Sequence, residues 1–174
     1  MSDPDPQLIV VMGVSGCGKT TVGIALAEAL GVGFHDADDF HSEANIVKMS
    51  QGTPLNDNDR EPWLQSIVNF STTQCQSGIS LILACSALKK KHRDQLRQLD
   101  YPVSYVHLQA PFEIIHERMK QRSGHFMPES LLRSQFEALE DPAGEAGVHT
   151  VSIEQPITMA VSQAIELLGL SPES

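Results

Sequence analysis

The chain has 174 residues, of which 41% are apolar and 20% are charged. This length is typical of one domain with a substantial core, so we expect residues 1–174 to form a single domain, and no apolar run is long enough to span a membrane. The net charge of −10 disfavours nonspecific binding to nucleic acid or to an anionic membrane. All 12 Lys and Arg residues lie between Lys19 and Arg133, a distribution that suits a small anionic ligand in a local basic pocket.

A phosphate-binding loop follows the first predicted strand. The N-terminal segment Met-Ser-Asp-Pro-Asp-Pro does not resemble a signal peptide. Residues 8–12 are an apolar run of strand length, and residues 13–20 are Gly-Val-Ser-Gly-Cys-Gly-Lys-Thr, a complete G-x-x-x-x-G-K-[ST] motif. Apolar residues then recur at helical spacing until Gly31, so the motif lies between a strand and a helix, which is the context it requires.

The residue types of this loop fit a nucleoside triphosphate. Its glycines allow backbone conformations in which successive amides point at phosphate oxygens, and the helix N-terminus adds a partial positive charge. Lys19 can reach the β- and γ-phosphates, and the Thr20 hydroxyl can ligate Mg²⁺. The predicted nucleotide-binding residues are Gly13, Val14, Ser15, Gly16, Cys17, Gly18, Lys19, Thr20 and Thr21.

Cys17 has two interpretations. A lysine and a helix N-terminus lie beside it, surroundings that lower the pKa of a thiol and permit a redox role, whereas a small side chain at a variable position of the motif is the simpler interpretation. Together with Cys75 and Cys85 it shows no metal-site spacing, and three cysteines cannot all pair. We therefore expect a reduced, cytoplasmic compartment.

Acidic residues end the second predicted strand, 33–36. Strand alternation would put Asp36 and Asp38 on one side, facing the phosphates. A kinase needs one carboxylate near its metal and another that orients or deprotonates the attacking hydroxyl, so we predict Asp36 on the Mg²⁺ side and Asp38 at the acceptor hydroxyl. The alternative is an acidic helix N-terminus whose carboxylates serve only as caps.

A polar loop is predicted over residues 48–60, before a helix that starts at Pro62, because proline suits the first helical position. Lys48 and Arg60 are candidates to bind a substrate carboxylate, Arg60 through its bidentate fork.

The third predicted strand, 80–85, leads into a basic segment. Ser86 can bind a ligand or cap the next helix. Lys89, Arg93 and Arg97 recur at four-residue spacing and would share one face of a basic helix over 89–97.

A short lid is predicted after the fourth strand, 103–108, and the helix that follows it. Arg118 and Arg122 lie one helical turn apart, so both can project toward the phosphates. A lid at about 120–130 would bring these cations to the transferring phosphoryl group and exclude water. The alternative is an ordinary turn between two helices.

A fifth strand, 148–153, and a final amphipathic helix complete an alternation of strands and helices. This alternation predicts an α/β fold in which a parallel five-stranded sheet carries helices on both faces. Ligands of such sheets bind at the carboxyl ends of the strands, where the phosphate loop lies.

Together these segments resemble the gluconokinase family of P-loop kinases, in the nucleoside-monophosphate-kinase-like branch. The resemblance spans about residues 8–142 and includes the phosphate loop and Asp36-Ala37-Asp38-Asp39-Phe40-His41. Its most specific stretches are Leu55-Asn56-Asp57 and Cys85-Ser86-Ala87-Leu88-Lys89. It implies a cytoplasmic, frequently dimeric enzyme that uses ATP to phosphorylate the 6-hydroxyl of D-gluconate, giving 6-phospho-D-gluconate and ADP.

The resemblance and the residue arguments together predict the site. Lys19, Asp38, Arg118 and Arg122 are the predicted catalytic residues, and Thr20 and Asp36 are the predicted Mg²⁺ ligands beside ATP. The predicted substrate-binding residues are Asp38, His41, Lys48, Arg60, Ser86, Lys89, Arg93 and His125.

Two other functions stay open at this point. One is a kinase for another small anionic hydroxylated metabolite, such as shikimate or a nucleoside monophosphate. The segment Cys85-Ser86-Ala87-Leu88 disfavours shikimate kinase, which carries a glycine-rich turn there. The other is a nucleotide-dependent switch, although the sequence has no Asn-Lys-x-Asp motif for guanine recognition.

Overall fold

The computed structural model describes residues 5–121 and 128–172 and contains a five-stranded parallel sheet. The strands are β1 (Leu8–Met12), β2 (Gly33–Asp36), β3 (Leu81–Ala84), β4 (Val103–Gln109) and β5 (Val148–Ser152). Their order across the sheet is β2-β3-β1-β4-β5, and every neighbouring pair is parallel. The predicted fold class is confirmed, and each predicted strand end lies within one residue of the observed end.

Helices connect the strands and cover both faces of the sheet. They are α1 (Lys19–Leu30), α2 (Glu43–Ser50), α3 (Asp57–Gln76), α4 (Lys90–Leu96), α5 (Phe112–Lys120), α6 (Glu129–Ala138) and α7 (Ile157–Leu168), with a 3₁₀ helix at Ala37–Phe40. Within the described ranges, none of these helices is long and apolar enough to cross a membrane. The predicted lid at 120–130 falls mainly on residues 122–127, which lie outside the described residues.

The central strand β1 is buried on both faces, which explains its continuous apolar sequence. Ile9 and Val11 pack in a cluster with residues of α1, α5 and α7. Leu8, Val10 and Met12 pack in a second cluster with residues of α3 and α4. Because β2, β3 and β1 are parallel neighbours, their carboxyl ends meet at one edge of the sheet, between the two helical layers.

The predicted loop over 48–60 is correct only for residues 51–56, and the predicted helix start at Pro62 is wrong. Lys48 lies in α2, and α3 begins at Asp57, five residues before Pro62. The reason is a capping box, in which the Asn56 side chain accepts a hydrogen bond of 2.9 Å from the Asp59 amide and Asp59 accepts one of 3.0 Å from the Asn56 amide. This reciprocal pair satisfies two amides at the start of α3, and Pro62 is accommodated inside the helix.

Candidate active site

The phosphate loop joins β1 to α1 through a backbone that depends on glycine. Gly13, Gly16 and Gly18 have φ angles of 147°, 81° and 95°. A Cβ atom at Gly13 would lie 2.7 Å from Cys17 Sγ and 2.9 Å from the Leu108 carbonyl oxygen, so the turn has no room for a side chain there.

Lys19 is held against the loop. Its Nζ donates hydrogen bonds of 3.0 Å to the carbonyl oxygens of Gly13 and Val14. A phosphate that binds here therefore meets an ammonium group already held at the loop, together with the positive end of α1.

A cavity of 620 Å³ lies over this loop and the ends of β2 and β3; we call it the phosphate cavity. It brings together Lys19 and Thr20 of the loop region, both predicted acids, and Ser86. The lining residues are Ser15, Gly16, Lys19, Thr20, Asp36, Ala37, Asp38, Trp63, Ala84, Cys85, Ser86, Met119, Pro128 and Leu131.

Asp36 and Asp38 reach this cavity by a turn and not by strand alternation. β2 ends at Asp36 and the 3₁₀ helix starts at the next residue, with Asp36 Oδ1 accepting a hydrogen bond of 2.9 Å from the Asp38 amide. Asp36 is therefore both a helix cap and a cavity residue, so its capping role does not exclude a role in the cavity. The Asp38 side chain is 84% exposed and can be reached by a substrate.

The surroundings of Asp38 make its carboxylate a better base. Although the side chain is largely exposed, partial desolvation raises the pKa of Asp38, the charge of Asp36 raises it further, and His41 and Lys19 oppose the change. A general base is most effective when its pKa lies near the operating pH, and a raised pKa moves a carboxylate in that direction.

A second cavity, of 480 Å³, adjoins the phosphate cavity, and we call it the basic cavity. The two share Trp63, Cys85, Ser86 and Leu131, so they form one continuous cleft. Four residues predicted to bind substrate line the basic cavity: His41, Arg60, Ser86 and Lys89. His92 and Gln135, which were not predicted, also line it.

The structure corrects the prediction for Lys48, which lies between helices and does not line the described cleft. Its Nζ is 2.9 Å and 3.1 Å from the two carboxylate oxygens of Asp59. This ion pair joins α2 to the start of α3.

The structure also corrects the prediction for Arg93, whose side chain is fully buried. Its guanidinium donates to both carboxylate oxygens of Glu145, at 3.0 Å and 2.6 Å, and to the carbonyl oxygens of Ala87 and Glu140, at 2.7 Å and 2.9 Å. These partners leave the guanidinium no route to a substrate. The expected common face fails because Lys89 precedes α4 as its N-cap and lines the basic cavity, whereas Arg93 is buried.

The residue that caps α4 also decides between the two interpretations of Ser86. Lys89 occupies the N-cap position, and no side chain caps that end of the helix. Ser86 instead lines both cavities, as a ligand-binding residue would.

Arg118 and Asp38 line different cavities beside the phosphate loop. Its guanidinium donates a hydrogen bond to the Ile153 carbonyl oxygen, and it lines a third cavity of 350 Å³ beside the start of α1. Thr21, Pro156 and Ile157 also line this cavity. Arg122 and His125 lie outside the described residues, so their predicted roles stay predictions.

The structure favours the simpler of the two interpretations of Cys17. Cys17 is 2% exposed, and burial raises its pKa by more than the nearby Lys19 lowers it. Burial also raises the pKa of Cys85 to about 12. All three cysteines are free and buried, so Cys17 is a small packing residue of the loop.

Sequence reasoning missed two polar residues of the cleft. Gln135 Oε1 accepts a hydrogen bond of 2.7 Å from the Ser15 amide of the phosphate loop, although 120 residues separate them. His92 Nε2 is buried without a hydrogen-bond partner among the described residues and belongs to a side chain that lines the basic cavity. Gln135 lies in a helix whose sequence resembles the family, whereas His92 follows a lysine run that is typical of a solvated surface.

The donor set of the phosphate cavity fits Mg²⁺ that arrives with a nucleotide. In the described part of the chain, no three His, Cys, Asp or Glu side chains are placed to hold a metal alone. Mg²⁺ usually takes one or two protein oxygens and completes its shell with phosphate and water. The Thr20 hydroxyl and the Asp36 carboxylate both line the cavity and can supply those oxygens.

Comparisons with known proteins agree with this arrangement. A family model described as an AAA domain matches residues 8–142. The chain is 43% identical over 181 residues to a probable gluconokinase from Rattus norvegicus, covering 94% of the chain and 98% of the relative. It is 41% identical over 165 residues to the thermoresistant gluconokinase of Escherichia coli (strain K12), covering 94% of each. The chain belongs to the gluconokinase family.

A solved structure supports the same assignment. The crystal structure of a gluconokinase from Sinorhizobium meliloti 1021 superposes with a TM-score of 0.86 at 43% identity, covering 96% of this chain and 94% of that one. The predicted family is therefore confirmed. Membership of the gluconokinase family also places the phosphate loop, the two acids and the basic cavity in a kinase.

Proposed function

We propose that this chain transfers the γ-phosphoryl group of ATP to the 6-hydroxyl of D-gluconate, giving 6-phospho-D-gluconate and ADP. One observation carries the proposal: in a member of the gluconokinase family, the phosphate cavity continues into a cavity lined by Arg60, Lys89 and Ser86. Gluconate has a carboxylate at one end and the reacting hydroxyl at the other. Guanidinium and ammonium groups suit the carboxylate, and the hydroxyl then lies toward Asp38.

ATP is assigned to the phosphate loop and the third cavity. Backbone amides of the loop and Lys19 bind the phosphates, as the motif requires. We place the base in the third cavity, because the planar Arg118 guanidinium can stack on a heteroaromatic ring and Pro156 and Ile157 offer apolar contacts. This assignment replaces the predicted role of Arg118 at the transferring phosphoryl group. Arg122 keeps that role as a prediction.

Asp38 is assigned to the acceptor hydroxyl. Its exposed carboxylate faces the phosphate cavity, and its raised pKa favours proton acceptance as the hydroxyl attacks. Lys19 stabilises the negative charge on the phosphate oxygens during transfer. Bound Mg²⁺, held by Thr20 and Asp36, would neutralise phosphate charge.

We further propose that the enzyme is a cytoplasmic homodimer with neither nucleic acid nor a membrane as partner. The three free cysteines support a reduced compartment. The net charge of −10 supports the absence of polyanionic partners. The dimer depends on the resemblance to the family alone.

A coupled assay of ADP release tests the proposed function. Purified protein is supplied with MgATP and with gluconate, another aldonate, shikimate, or no acceptor. We expect turnover with gluconate, and ³¹P and ¹³C spectra of the product should place the phosphate on carbon 6. Equal ADP release with and without gluconate would indicate a nucleotide-dependent switch, and faster turnover with shikimate would indicate the other kinase.

A further inference from the structure

Asp38 belongs to a series of polar contacts that runs from the phosphate cavity into α2 and α3. His41 Nε2 lies 3.9 Å from Asp38 Oδ1, and His41 Nδ1 lies 3.3 Å from Asn45 Nδ2. The same Asn45 nitrogen donates a hydrogen bond of 3.0 Å to the backbone oxygen of Asp59. Asn45 is 5% exposed and the His41 side chain 4%, so solvent has little access to the contact between them, whereas Asp38 at the other end of the series is exposed.

The Asp59 contact determines how the Asn45 amide is oriented. A backbone carbonyl oxygen only accepts hydrogen bonds, so the amide nitrogen, and not the amide oxygen, faces Asp59. That nitrogen only donates, and it also faces His41 Nδ1. Nδ1 must then be the unprotonated acceptor. Neutral His41 carries its proton on Nε2, the atom that faces Asp38.

The His41 ring is held in this position by Trp63. The two rings stack with 4.3 Å between centroids and 15° between planes. Trp63 Nε1 also donates a hydrogen bond of 2.7 Å to the Ala37 carbonyl oxygen, in the 3₁₀ helix that carries Asp38. Burial lowers the pKa of His41 and Arg60 lowers it further, while Asp38 opposes them, which favours the neutral ring.

We propose that Asn45 is a positioning residue for phosphoryl transfer: by fixing the Nε2–H tautomer of His41, it directs a hydrogen-bond donor at the Asp38 carboxylate. The 3.9 Å between His41 Nε2 and Asp38 Oδ1 is longer than a hydrogen bond, so the proposal requires the exposed Asp38 side chain to rotate toward Nε2. One carboxylate oxygen then accepts from His41, and the other is left to receive the proton of the acceptor hydroxyl. This inference rests on the proposed function, and it makes His41 a contact of the base and not of the substrate.

The tautomer can be measured without turnover. Long-range ¹H–¹⁵N correlation spectra distinguish protonated from unprotonated ring nitrogens, and the signal lost in His41→Gln assigns His41 among the seven histidines. We expect the proton on Nε2 in the wild-type protein and on Nδ1 in Asn45→Asp, where a carboxylate acceptor replaces the amide donor. Asn69→Asp adds the same charge at an exposed position and should leave the His41 signals unchanged. A wild-type proton on Nδ1 would overturn the proposal.

Two variants of His41 separate positioning from substrate contact. Glutamine can place an N–H group near the original Nε2, whereas the shorter asparagine reaches only the Nδ1 position. We expect kcat to fall about 10- to 100-fold in His41→Asn and much less in His41→Gln, with the KM for gluconate within about twofold of wild type in both. Equal losses of kcat, or a rise in KM at unchanged kcat, would contradict the proposal. Failure of the wild-type protein to phosphorylate gluconate would refute the proposed function and with it the catalytic role of Asn45. The His41 tautomer would still be tested separately, because it is measured on the ligand-free protein.

Discussion

The buried ion pair between Arg93 and Glu145 permits a quantitative test of the corrected role of Arg93. Arg93 is fully buried and Glu145 is 13% exposed. Glu145 accepts hydrogen bonds from Arg93 at 3.0 Å and 2.6 Å and from Arg97 at 2.9 Å. Replacing Glu145 by Gln keeps the shape and one acceptor but leaves the Arg93 charge uncompensated.

We expect Glu145→Gln to lower the free energy of unfolding by about 3 kcal/mol. Removing one partner of a buried pair costs roughly 3–5 kcal/mol, and the remaining amide oxygen places this variant at the lower end. For a chain of this length each kcal/mol shifts Tm by about 2–4 °C, so Tm should fall by about 6–12 °C. The assay is urea unfolding followed by the fluorescence of Trp63, the one tryptophan.

The difference between wild type and variant should depend on pH. Hydrogen bonds from Arg93 lower the pKa of Glu145 below its ordinary value of 4.5 in the folded protein. The stabilisation is therefore complete above the unfolded pKa and is lost as the pH falls through the folded one. The two unfolding curves should be well separated at pH 7 and should converge as the pH falls below 4.5 and through the lowered folded pKa of Glu145.

The exposed pair between Glu129 and Arg133 provides a matched control. Their side chains are 49% and 59% exposed, so Glu129→Gln should cost less than about 1 kcal/mol. A similarly small loss in Glu145→Gln would refute the reasoning. A raised KM for gluconate with unchanged stability would also refute it, because that result would indicate that Arg93 binds the substrate.

The remaining predictions concern catalysis in the coupled assay. Lys89→Ala should raise the KM for gluconate about tenfold or more, because Lys89 lines the basic cavity. Lys48→Ala is the control: it removes a cation that is paired with Asp59 and should leave KM within about twofold. Equal effects of the two variants would contradict the assignment of Lys89 to the basic cavity. Asp38→Asn should keep ATP affinity by calorimetry and lower kcat by about 10²- to 10⁴-fold, and a near-normal rate would remove Asp38 from its role as base. Lys19→Ala should weaken ATP binding and lower kcat together, because the ammonium meets phosphate in the ground and transition states; unchanged kinetics would exclude the loop assignment.

Local patterns were sufficient for the phosphate loop, the strand positions and the family. The loop is a contiguous motif whose backbone conformation and helix N-terminus follow from eight residues, and β1 is recognisable because a strand buried on both faces is apolar throughout. Placement of Asp36 and Asp38 at the cleft also followed, since parallel strands bring their carboxyl ends to one edge. The start of α3 was signalled locally by Asn56 and Asp59, and the prediction gave Pro62 more weight than this capping pair.

The roles of individual polar residues depended on partners far along the chain. Spacing placed Lys89 and Arg93 on one helical face, but Glu145, which lies 52 residues beyond Arg93, holds that guanidinium in the interior. Gln135 reaches Ser15 across 120 residues in the same way. A cation or amide is chemically suited to a substrate and to a protein partner alike, and the choice depends on which acceptor the folded chain brings within hydrogen-bond distance. That distance is set by the packing of helices against the sheet, so only the tertiary structure separates the residues that line the cleft from those that hold it together.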